Sequence, residues 1–207
     1  MFRTTLAING LISILRGLRP EEAEAVGNAL YVAGMRIIEV PLNSPQPLRS
    51  IEILRSTLPG DCLVGAGTVL STQQVREVRE AGGQVIVMPH CNVDVLRAAK
   101  ALGLYLAPGV ATPTEAFAAL AAGADALKLF PAEQVGISAM KAWLTVLPPG
   151  TALLPVGGIT PDNMAAYLQA GAAGFGLGSA LYTSGLNPAE IGHRARTFIQ
   201  ARHAALG

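Results

Sequence analysis

Eight short apolar runs alternate with amphipathic segments along the 207 residues, and no other feature restricts the possible folds as strongly. The runs are Leu11–Leu15, Arg36–Val40, Cys62–Gly67, Gln84–Met88, Leu104–Ala107, Ala126–Phe130, Ala152–Val156 and Gly174–Leu177. Each is too short for a buried helix, and most are rich in aliphatic residues, the pattern of strands covered on both faces. The intervening periodicity predicts helices near 20–33, 46–57, 71–81, 92–102, 113–122, 137–147, 161–170 and 188–205. Helix starts are marked by Ser71 with Gln74 and by the pairs Thr112-Pro113 and Thr160-Pro161. Helix ends are marked by Gly34, Gly82, Gly103, Gly123 and Gly171. Eight strand-helix units, each roughly 20 to 26 residues long and without a linker, predict a single-domain parallel (β/α)8 TIM barrel over residues 1–207. A doubly wound sheet is the second choice.

A closed barrel places chemistry at the C-terminal ends of its strands. Lys128 stands in the middle of the sixth run, on the face shared with Ala126 and Phe130. Two readings are open for it. Enclosed by apolar walls, its ammonium loses hydration, its pKa falls, and the neutral amine can condense with a ketone to an imine. Alternatively it snorkels to water from a strand end. Glu39 interrupts the second run on the face of Ile37 and Pro41. Inward side chains of alternate strands share a layer, so Glu39 and Lys128 can meet over the barrel axis. A carboxylate there can move protons for an imine-forming lysine; the other reading is a buried ion pair without chemistry.

Gly157-Gly158 after the seventh run and Gly176 to Ser179 after the eighth lie where such barrels often hold phosphate. Glycine lets backbone N–H groups approach phosphate oxygens, and a helix start at Thr160-Pro161 or near Ser179 would add its dipole. Arg16 can grip a carboxylate or phosphate, and Thr68 can donate to the same ligand; a rim cation and a turn cap are the plainer readings. Asn43 and Ser44 read equally as turn residues before Pro45, and His90 stands at a strand end.

Composition narrows the classes further. Hydrophobic residues make up 51% and charged residues 14%, against roughly a quarter charged in an average domain, so part of the apolar surplus is expected in a subunit interface. A net charge of +1 without a basic block argues against nucleic acid. No run is long enough for a membrane span, and Met1-Phe2-Arg3 with Asn9, Gly10 and Arg16 makes a poor signal peptide. Cys62 and Cys91 show no metal-ligand spacing and read as unpaired thiols of a cytoplasmic protein.

With these motifs in hand, the chain resembles the 2-keto-3-deoxy-6-phosphogluconate / 6-phosphogalactonate aldolase family over nearly its whole length. The resemblance rests on Glu39-Val40-Pro41-Leu42, Gly65 to Leu70, Leu127 to Glu133, Pro155 to Ile159 and Gly178-Ser179. It implies a class I aldolase without metal or organic cofactor, usually trimeric, with Lys128 as Schiff-base lysine and Glu39 as proton shuttle. It further implies Arg16 and Thr68 at the pyruvate end and Gly157, Gly158, Gly178 and Ser179 around the phosphate. Details favour the galactonate branch. Pro41-Leu42-Asn43-Ser44 lacks the arginine that gluconate-type enzymes carry after the glutamate, and Arg16 can replace it from the first strand. Val156 stands where the gluconate type has threonine, which bears on the C4 hydroxyl. Met88 departs from the small polar residue of many relatives and leaves the lining near the fourth strand open.

The expected reaction is cleavage of 2-dehydro-3-deoxy-6-phosphogalactonate to pyruvate and glyceraldehyde 3-phosphate. A gluconate-specific or dual-specificity aldolase is the nearest alternative. More distant are a phosphate-binding barrel isomerase or synthase and a non-catalytic barrel that binds a phosphorylated sugar acid.

Overall fold

The apolar runs become short parallel strands because their two faces are buried differently, as the computed structural model, which describes residues 2–207, makes plain. The strands are β1 (Leu11–Ile14), β2 (Ile37–Pro41), β3 (Leu63–Gly67), β4 (Val85–Val87), β5 (Tyr105–Ala107), β6 (Gly109–Val110), β7 (Leu127–Leu129), β8 (Leu153–Pro155) and β9 (Phe175–Leu177). Helix α1 (Phe2–Asn9) precedes them, followed by α2 (Pro20–Ala33), α3 (Pro47–Thr57), α4 (Thr72–Glu80), α5 (Val93–Ala101), α6 (Pro113–Ala121), α7 (Ala132–Leu144), α8 (Met164–Gln169) and α9 (Pro188–Leu206). The result is an α/β fold with parallel strand pairing throughout.

The strands fall into two sheets, one of six in the order β5-β4-β3-β2-β1-β9 and one of three in the order β6-β7-β8. Between β8 and β9 the sheets touch through the parallel bridge of Val156 with Gly176 and the bond from Ala173 N–H to the Leu153 carbonyl, 2.9 Å. At the other edge the Leu106 and Pro108 carbonyls accept from Ala126 and Lys128. The division has a local cause: Pro108 has no N–H to donate, so the fifth run stops at Ala107 and resumes at Gly109.

Alternate residues sort into two apolar clusters. Leu11, Ile38, Val40, Leu127 and Leu129 face outward and pack in the larger cluster, which the helices cover. Ile12, Ile37, Leu63, Val85, Ala126 and Leu154 face inward and form a smaller cluster with Phe2 and Leu6 of α1. These inward residues lie near the strand starts, so α1 plugs that end, with the Phe2 ring stacked 5.6 Å from Tyr105. Two residues further along the same faces come Ile14, Glu39, Lys128 and Val156. An apolar floor therefore underlies each candidate side chain.

Three local expectations change. The sequence reading assigns no helix to residues 2–9, because α1 is short and its burial depends on the inner cluster. The segment expected as a helix near 137–147 begins at Ala132, and Gly136, with φ 77°, kinks it. The helix expected from 161 starts only at Met164: Asn163 instead closes a turn, accepting from Thr160 N–H (3.0 Å) and donating to the Gly158 carbonyl (2.7 Å). By contrast, Gly34, Gly82, Gly103, Gly123 and Gly171 all adopt positive φ at helix ends.

Candidate active site

Lys128 lies on the inward face of β7 and is 7% exposed, and Glu39 on the inward face of β2 is 2% exposed. Neither is a snorkelling surface group. Glu39 fits because Gly67 on β3 has no side chain: a Cβ there would overlap the carboxylate. Its Oε2 is buried without a hydrogen-bond partner. Among the described residues the two groups make no ion pair within 4.0 Å, yet each acts electrostatically on the other. The Lys128 ammonium lies 4.4 Å from the centroid of the Phe130 ring.

Electrostatics follow from that burial. Loss of hydration pushes the Glu39 carboxyl up from its ordinary 4.5 to about 7, with Lys128 and Arg16 pulling the other way. Desolvation likewise lowers the Lys128 pKa; Glu39 opposes the shift and Arg16 adds to it. Both groups move toward their neutral forms, which suits an amine nucleophile and a carboxyl poised to exchange protons.

Arg16 follows β1 in a loop pinned to the loop after β2. Gly17 N–H donates to Ser44 Oγ (2.9 Å), and the Arg16 guanidinium donates to Asn43 Oδ1. It also reaches Thr68 Oγ1 at 3.5 Å. Thr68 holds φ 54°, a left-handed conformation that threonine seldom adopts. Asn43 and Ser44 thus do more than turn the chain; the motif hid this because both are common turn residues.

A cavity of about 490 Å³ opens beside Lys128. Arg16, Val156, Gly157, Gly158, Gly178 and Ser179 line it, whereas Glu39 and Thr68 lie outside its lining. Gly176 of the eighth-run loop lines it too, as do Ile14, Phe130, Ile159, Thr160 and Ala180, which the sequence does not single out as contacts. Gly157 and Gly158 adopt φ of 103° and 67°. No helix begins next to either glycine loop, since α8 starts at Met164 and α9 at Pro188, so the expected helix dipole is absent. Backbone N–H groups and the Ser179 hydroxyl remain as anion donors. Met88 is fully buried in the outer cluster and does not face the cavity, and His90 does not line it. No group of three or more His, Cys, Asp or Glu among the described residues is placed to hold a metal.

Residues 4–194 match the family model for KDPG and KHG aldolases. The chain is 47% identical over 197 residues to a "Probable 2-dehydro-3-deoxy-6-phosphogalactonate aldolase" of Rhizobium meliloti (strain 1021), covering 95% of this chain and 93% of the relative. It is 44% identical over 196 residues to the 2-dehydro-3-deoxy-6-phosphogalactonate aldolase of Escherichia coli (strain K12), covering 95% and 96%. A solved structure described as "Native KDPGal structure" superposes with a TM-score of 0.93 at 44% identity, covering 95% of each chain.

Proposed function

Because this chain belongs to the KDPG and KHG aldolase family, we propose that it cleaves 2-dehydro-3-deoxy-6-phosphogalactonate to pyruvate and glyceraldehyde 3-phosphate through a Schiff base on Lys128. The observation that carries this reading is a buried amine on the wall of a cavity lined by two glycine loops, with a buried, unpaired carboxylate acting on it electrostatically from β2. The galactonate epimer is favoured by the names of the two relatives, by Arg16 in place of an arginine after Glu39, and by Val156 on the wall.

Neutral Lys128 attacks the C2 ketone, and loss of water gives an iminium. Glu39, directly or through a water, takes the C4 hydroxyl proton. The C3–C4 bond breaks, its electrons pass to the iminium to form an enamine, and the phosphorylated aldehyde leaves. A proton returns to C3, and water hydrolyses the imine to release pyruvate. The iminium is the electron sink, so the cycle uses no metal or organic cofactor. Arg16 and Thr68 hold the pyruvate carboxylate, while Gly157, Gly158, Gly178 and Ser179 hold the phosphate.

We read the two sheets as arcs of one closed (β/α)8 barrel, with β5 and β6 a single strand broken at Pro108 and residues 1–207 one domain. The apolar surplus and exposed side chains such as Leu70 and Phe117 suit a homotrimer. Unpaired Cys62 and Cys91 suit the cytoplasm, and no described helix is long and apolar enough to cross a membrane.

The test is lactate dehydrogenase-coupled pyruvate release on the galactonate and gluconate epimers side by side. The galactonate epimer is expected to turn over faster, and Lys128→Met to release nothing. Equal release by Lys128→Met would refute the Schiff base, and binding without release would leave a phosphosugar-acid binder.

A further inference from the structure

Among the described residues, Ile14 and Val156 are the only buried hydrophobic side chains that join neither packed cluster. Both border the cavity beside Lys128 instead. They also meet each other. A Cβ built on Gly176 would stand 2.7 Å from Val156 Cγ2 and 3.2 Å from Ile14 Cδ1, so the two side chains converge over that glycine from β1 and the end of β8. Gly176 is bridged to Val156, and Ile14 is the register partner of Glu39. The pair therefore forms a continuous apolar patch at the depth of the acid–base group, one or two residues before the glycine loops.

The position of this patch matters because of substrate length. C2 is fixed at Lys128 and the phosphate on C6 at the glycine loops, so C4, midway between them, passes the patch. A hydroxyl turned toward two aliphatic side chains exchanges water for no partner, whereas its epimer turns the hydroxyl away. We propose that Ile14 is a specificity-determining residue that acts with Val156 to reject the gluconate epimer at C4, an inference that rests on the aldolase reading above. Val156 covers one side of the patch and Ile14 the other, so replacing either one alone leaves part of the discrimination in place.

The experiment compares kcat/KM for the two epimers in the full-length enzyme and four variants. Ile14→Thr introduces a hydroxyl and is matched with Ile14→Val, which has none; Ile14→Ser matched with Ile14→Ala is a second pair that keeps the comparison available if the threonine variant fails to fold. The hydroxyl variants are expected to shift the ratio toward the gluconate epimer by about tenfold or more relative to their apolar counterparts, the order that one polar contact to a substrate hydroxyl supplies. Equal ratios within each matched pair, or equal slowing of both epimers, would overturn the role of Ile14 while leaving the aldolase intact. Pyruvate release from neither epimer by the unmodified enzyme would overturn both readings.

Discussion

Replacing Glu39 with glutamine should abolish turnover and yet make the protein more stable at alkaline pH. Burial raises this carboxyl from 4.5 to about 7. Between those values the folded protein keeps a proton that the unfolded chain has released, so this group's contribution makes stability fall as pH rises through the window. Above about 7 the whole penalty is in force. At roughly 1.4 kcal/mol per tenfold change in proton affinity, it amounts to about 3 kcal/mol. Glutamine removes the charge but keeps an amide where Oε2 has no partner, so only part is recovered. A gain of about 1–2 kcal/mol at pH 8, or roughly 2–8 °C in melting temperature for a domain of this length, is expected. Melting curves by circular dichroism at pH 5, 6, 7 and 8, at one protein concentration, measure it. The advantage of Glu39→Gln should be near zero at pH 5 and grow to pH 8. A difference that is flat with pH, or a less stable variant at pH 8, would refute a carboxylate held against its hydration.

The same shifts set the rate profile: kcat/KM for pyruvate release should fall by at least tenfold per pH unit below about 7 as Glu39 takes up a proton, and protonation of Lys128 steepens the fall; a level profile from pH 5.5 to 8 would count against both assignments. Arg16→Lys keeps the charge but loses the fork that bonds Asn43 and Thr68, so KM for the keto acid should rise about tenfold with kcat little changed; an unaltered KM would remove Arg16 from the carboxylate. Gly158→Ala forces an L side chain to φ 67° with its Cβ 2.6 Å from Glu133 Oε2, so affinity for the aldehyde phosphate should drop about tenfold or more. Exchange of pyruvate methyl protons in heavy water should persist in that variant, and loss of both would place the defect at the lysine instead.

The inward faces were legible because strand alternation is strict. Glu39 with Ile37, and Lys128 with Ala126, fell on the expected sides once each run was read as a strand, and the inner cluster bears this out. Local signals at helix ends were equally readable, since a positive φ after a helix selects glycine. What escaped the sequence depended on tertiary context. Helix α1 is held by the strand starts that it plugs, not by its own pattern. The gap at Pro108 shows only when the neighbouring strand's carbonyls, which a proline has no N–H to meet, are placed. Asn43 and Ser44 look like turn formers until the loop after β1 is brought against them. Ile14 looks like any strand isoleucine until Gly176 opens space for it beside Val156.

The Schiff-base chemistry stands or falls on where pyruvate becomes attached. Incubation with pyruvate and borohydride, followed by digestion and mass mapping of the peptides, should place one reduced adduct on the peptide that carries Lys128 and none elsewhere. An adduct on Lys100 or Lys141, or an unmodified chain that still turns over substrate, would contradict it.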